Sequence, residues 1–259
     1  MSDAALESLA RRDRAVTLVG LAALAALAWL YLVRLGREMA DMAAMDMAHT
    51  DPWTAADAGL AAVMWAVMMV AMMLPAAAPM ILVFATVNRK RREAPGTAPY
   101  VNTTLFVLAY LAVWSAFSVA AALAQWGLHS AALLSEDAMQ AAPFAGAVLL
   151  AAAGIYQLTP LKYACLARCQ TPIGFLLGEW RDGNRGAIVM GLRHGLFCLG
   201  CCWVLMALLF VGGVMNLAWV AAIAVFVLIE KLVPAGRLVS WTSGAVLLGW
   251  SAWSLYRSL

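Results

Sequence analysis

Charge is scarce in this 259-residue chain: only 12% of residues are Asp, Glu, Lys or Arg, against 65% hydrophobic. A water-soluble domain has no means of hiding that much apolar surface. The sequence also lacks a phosphate-cradling P-loop, an HExxH helix and a CxxCH haem-attachment run, which removes nucleotide hydrolysis, zincin chemistry and covalent haem. No Ser-His-acid set is recognisable, and no basic stripe interleaves with stacking aromatics, so neither a hydrolase nor a nucleic-acid partner is expected. Histidine occurs three times and cysteine five times. An odd cysteine count rules out a complete intramolecular disulfide framework.

What remains is the pattern of a polytopic membrane protein, an all-α helical bundle in one integral membrane domain over residues 1–259. Seven apolar runs approach the roughly 20 residues that cross a hydrocarbon core. They are Ala15–Val33, Ala58–Phe84, Thr103–Gly127, Phe144–Leu158, Ile188–Val211, Met215–Val233 and Val239–Tyr256. The fourth is short, and Pro75 is expected to tilt or break the second. The basic residues gather in alternate loops, as in Arg89-Lys90-Arg91-Arg92 and the segment from Lys162 to Arg185. By the positive-inside rule this places the N-terminus in the cytoplasm and the C-terminus outside; Arg34 and Arg37 are the exception. The first span is longer than a signal-peptide core and is followed by Arg34, so it is expected to be retained.

Chemistry concentrates in the fifth span. Cys198, Cys201 and Cys202 stand at i, i+3 and i+4 on one side of a helix, with His194 one turn before and Met206 one turn after. Thiolate, thioether and imidazole are the donors that suit Cu(I), with Zn(II) an alternative for the Cys and His ligands. One helix presents ligands from one side only, so others must complete a shell. Cys165 and Cys169, four residues apart after Pro160, form a second thiol clip on a short helix between Pro160 and Pro172. Ten of the fifteen methionines fall between Met39 and Met80. They include an external segment, Met39 to Met47 with His49, and a row at Met64, Met68 and Met72 in the second span. Taken singly, each Met or Cys is a plausible apolar filler; the clustering is what points to a soft cation. Glu230-Lys231 at the end of the sixth span reads as an interfacial pair or a snorkelling lysine, and Asn216 as the cap of a tight turn. Gly191 and Gly195 stand at the spacing that lets membrane helices pack closely.

Four fragments carry a resemblance: Ala71-Met-Met-Leu-Pro75, Tyr156 to Lys162 with Cys165 and Cys169, Cys198-Leu-Gly-Cys-Cys-Trp203, and Glu230-Lys-Leu-Val-Pro234. Together they resemble a bacterial family of predicted metal-binding integral membrane proteins, a domain of unknown function. The resemblance runs over residues 58–236. It leaves outside it residues 1–57, with the first span and Met-rich loop, and residues 237–259, the last span. It implies an inner-membrane helical protein that chaperones copper, with a copper-enzyme client or a metallochaperone as partner. The reading is a non-enzymatic Cu(I) transporter or delivery protein, its oligomeric state open. The alternative is a membrane thiol–disulfide oxidoreductase working through Cys198/Cys201 and Cys165/Cys169.

Overall fold

The computed structural model describes residues 3–44, 53–93, 102–131 and 141–258. Among them the chain is all-helical: α1 (Asp3–Ala44), α2 (Ala55–Glu93), α3 (Thr103–Ser130), α4 (Pro143–Gln157), α5 (Pro160–Gln170), α6 (Pro172–Glu179), α7 (Gly183–Ala207), α8 (Leu209–Gly212), α9 (Leu217–Leu232) and α10 (Gly236–Ser258). Proline opens α4, α5 and α6 at the first helical positions, where its missing N–H costs no intrahelical bond. Thr159 caps α5 by accepting from the Lys162 amide at 3.3 Å. Asn216 caps α9 by accepting from the Trp219 amide at 3.2 Å, the role its sequence position suggested. The reversal before it needs Gly213, whose φ of 90° is in the region that favours glycine.

Four stretches are long and apolar enough to cross a membrane: Arg14–Asp41, Ala55–Arg91, Thr103–Ser130 and Gly183–Gly212. A fifth results if α4 and α5, bent by 66° at their junction, count as one broken span. The expected fourth span corresponds to α4, the first arm of this bent pair, and the expected sixth and seventh, α9 and α10, are not among these stretches. The Met-rich segment also differs from expectation. The first helix continues to Ala44, so Met39 and Met42 are helical and not in a loop.

Helix α7 is the hub, packing on α3 and α5 and touching α4, α8 and α9, while α1, α2 and α3 stack in sequence and α4 pairs with α10. The core is unusually rich in large side chains: Trp65, Phe84, Phe106, Tyr110, Trp114 and Phe175 are all fully buried. Outward positions are apolar as well, with Leu27, Leu123, Leu196 and Trp253 exposed. A bundle apolar inside and outside is what a lipid surround requires. In lipid, helices associate through packing, so close approach matters. A Cβ on Gly195 would lie 2.9 Å from Val113 Cγ2 on α3, which is why glycine stands there.

A buried polar cluster joins the second half of the bundle. The Lys162 ammonium on α5 donates to the Glu230 carboxylate on α9 at 2.6 Å, with both side chains 1% exposed. Lys162 also donates to Gln157 Oε1, and the Ser240 hydroxyl of α10 donates to Glu230 at 2.7 Å. Gln170, at the end of α5, donates to the carbonyls of Glu230 at 2.8 Å and Val233 at 3.1 Å. These bonds lock α5, α9 and α10 into one arrangement. Glu230 and Lys231 therefore do not pair with each other, contrary to the sequence reading. Neighbours on a helix point about 100° apart, and they address different helices.

Two outcomes test this packing. Gly195→Val is expected to destabilise the protein by about 1–3 kcal/mol through overpacking, seen as a lower melting temperature in detergent. Gly59→Ala, which meets nothing within 4 Å, should leave it unchanged. Breaking the ion pair with Lys162→Met alone should cost roughly 3–5 kcal/mol. The Lys162→Met/Glu230→Leu double variant should recover much of that loss in the same melting assay.

Candidate metal centre

The hub helix turns its sulfurs inward. Cys198, Cys201 and Cys202 are each 1% exposed, and all five cysteines are free thiols. Gly195 and Gly191 bring α7 against α3, which sets the Tyr110 hydroxyl 3.1 Å from Cys198 Sγ. That hydroxyl also donates to the Met73 carbonyl of α2 at 3.1 Å. Met73 Sδ in turn lies 3.9 Å from Cys202 Sγ. From α9, the Lys231 ammonium donates to Cys198 Sγ at 2.8 Å. From α5, Cys169 faces Cys198 and Cys201.

Cysteines from two separate helices thus come to one region, because the Lys162–Glu230 pair and the Gln170 bonds hold α5 beside α9 and α7. Cys165 sits one turn earlier on α5, facing the bare backbone of Gly200. A Cβ there would lie 2.8 Å from Cys165 Sγ. The neighbouring Tyr156 hydroxyl donates to the Gly200 carbonyl. The absence of a side chain at 200 is what admits the thiol clip.

His194 is 3% exposed and is held by three rings. Phe106 and Tyr110 stack on it at 6.0 and 5.6 Å, and Phe175 meets it edge-on at 5.6 Å. Its Nδ1 is buried with no hydrogen-bond partner among the described residues. A buried polar nitrogen without a partner is uncommon, and the Trp114 indole N–H is the other one among the described residues. Arg193, next in sequence, points away and pairs with Glu179 of α6.

Among the described residues no three His, Cys, Asp or Glu side chains stand as a ready-made ligand set, although the thiols meet. The reason is in their orientation. Cys201 and Cys202 both turn back along α7 and donate to the Cys198 carbonyl, at 3.0 and 2.9 Å. Neither sulfur points to the same spot as Cys198 Sγ in this arrangement.

The other candidates from sequence separate from this group to varying degrees. Met206 is fully buried one turn beyond Cys202, and Met64, Met68 and Met72 are buried in the α2 part of the core. The thioether placed against a thiol is that of Met73, from the adjacent row. His49 lies outside the described residues, as do Met45 and Met47. Sequence reasoning missed Met73, Tyr110, Lys231 and Gly200. Lys231 was the most accessible of them, since a lysine in an apolar run must find a partner; Tyr110 carried no signal at all.

A family model described as PpoB2, copper chaperone, matches residues 62–254. The chain belongs to this family. The match takes in α7 with its thiols, the α5 clip and Lys231, and it extends into α10, while α1 and His49 fall outside it. The copper-chaperone resemblance carried by the four sequence fragments is thereby established as family membership. No curated protein and no solved structure matches the chain.

Membership in a copper chaperone family gives the crowding at Gly200 a measurable consequence. Gly200→Ala is expected to push Cys165 off α7 and destabilise the fold by about 1–3 kcal/mol. The rate at which N-ethylmaleimide alkylates Cys165, followed by peptide mass spectrometry, should rise several-fold above the native rate.

Proposed function

We propose that this protein binds Cu(I) inside a membrane-embedded helical bundle and passes it across or within the bilayer, or delivers it to a copper enzyme. The observation that carries this reading is the burial of Cys198, Cys201 and Cys202 beside the Met73 sulfur, with half-buried Cys169 facing them and an unpartnered His194 nitrogen one turn before Cys198 on the same helix. Soft donors in that number favour a soft monovalent cation over hard ones, and Zn(II) is the competing occupant for Cys and His. Rotation of Cys201 and Cys202 away from the Cys198 carbonyl closes the shell as each gives up its proton to become a ligand.

In this proposal the bundle has seven spans in the inner membrane, with α9 and α10 as the sixth and seventh and the N-terminus in the cytoplasm. The Met-rich segment and His49 exchange the ion at the outer face. Met64, Met68 and Met72 relay it along α2, and Met73 hands it to the α7 thiols, with Met206 flanking them. Cys165 and Cys169 exchange it at the cytoplasmic face. Movement by sulfur-to-sulfur exchange needs no nucleotide, in keeping with the absence of a P-loop.

The test is a double substitution. Cys198→Ser with Cys202→Ser should abolish Cu(I) binding by the purified protein while membrane insertion and melting behaviour persist. An unchanged copper-to-protein ratio in that variant would remove the central site. Recovery of a Cys198–Cys201 disulfide in place of metal would support thiol–disulfide exchange instead.

A further inference from the structure

Beside the thiols lies a partly open cavity of about 120 Å³, where α2, α5, α6 and α9 come together. Its wall includes Ala76 and Met80 from α2, Cys169 and Gln170 from α5, and Lys231 from α9. Two of these residues also touch the buried centre. Cys169 faces Cys198 and Cys201, and Lys231 donates to Cys198 Sγ at 2.8 Å. Cys169 is only half-buried, whereas Cys198, Cys201 and Cys202 are fully enclosed. The cavity is therefore continuous in donor chemistry with the centre, running from thioether and thiol at its wall to thiols within.

The wall also has a definite charge. Among the described residues no Asp or Glu lines it, and its one basic side chain is that of Lys231, whose ammonium reaches on to Cys198 Sγ. Gln170 has its amide nitrogen committed to the carbonyls of Glu230 and Val233. A naked cation approaching this wall meets repulsion; a complex of net negative charge meets attraction. Cu(I) carried between two thiolates has that charge.

Building on the Cu(I) reading, we propose that this cavity is the mouth of the site and that it accepts Cu(I) as an anionic complex with small thiolates. The exchange is associative and leaves the metal as Cu(I). A Cu–S bond to Cys169 forms, a Cu–S bond to the carrier breaks, and the Cys169 proton leaves on the departing thiolate. The same exchange then moves the ion from Cys169 to Cys198, with the Lys231 ammonium drawing back from that sulfur. Met80 offers its thioether beside the path.

Ala76 touches none of the sulfur ligands' chemistry but lines the cavity, so it separates the route from the destination. Purified full-length protein is loaded anaerobically from Cu(I)–glutathione or from Cu(I)–acetonitrile, and uptake is followed in time. Ala76→Phe should slow loading from glutathione by roughly tenfold or more, about 1.4 kcal/mol of barrier, while reaching the same final copper-to-protein ratio. Lys231→Gln should lose the preference for the anionic donor over the cationic one. Wild-type loading rates in Ala76→Phe, or an unaltered donor preference in Lys231→Gln, would overturn the proposal. A second measurement on the native protein guards against a misfolded variant. A charged methanethiosulfonate reagent should modify Cys169 before any α7 thiol; reaction at Cys198, Cys201 or Cys202 first would also overturn it. Failure of the wild type to take up Cu(I) from either donor at equilibrium would sink the copper reading itself, and the order of thiol labelling would still report on the mouth.

Discussion

An ammonium group and a sulfur atom 2.8 Å apart, both enclosed by apolar helices, set the terms for everything around them. A lysine buried in lipid-facing structure is expensive unless its charge is answered. Lys162 is answered by Glu230. Lys231 has no carboxylate bonded to it among the described residues, and the group it addresses is Cys198. Tyr110, Met73 and the α5 clip are arranged around this one contact, and α7 has to be the hub because it carries the sulfur.

The Lys162–Glu230 pair serves the centre indirectly. It leaves α9 about 100° around the helix from Lys231 and ties α5 to α9, with Gln170 closing the join through two backbone carbonyls. Without that tie a helix as short as α5 would have little reason to hold its angle of 66° to α4. Buried ion pairs are weak sources of stability and good sources of specificity. Here the specificity fixes which face of α5 meets α7, and so which thiols meet.

Much of the helical plan was legible in the sequence, because apolar length and proline or asparagine punctuation are local signals. Pro160 and Asn216 marked helix starts, and Pro172 the end of the short helix, that the structure contains. That Cys198, Cys201 and Cys202 share one face followed from their i, i+3, i+4 spacing. Two things were not legible. The angle between α4 and α5 depends on tertiary bonds, so the two helices could be read without their 66° bend. Partner choice between helices was also invisible: Glu230 and Lys231 looked like a pair, yet their directions diverge. In the same way Met73 and Met72 are adjacent in sequence, and helix rotation alone decides which thioether reaches Cys202.

The Cys198 carbonyl, which accepts from two thiols at once, has a consequence for occupancy. Each of those thiols carries a hydrogen that must depart when its sulfur becomes a metal ligand. In the proposed copper-binding role, one monovalent cation arrives as up to two protons leave the same spot, so occupancy is coupled to acidity as well as to the supply of metal.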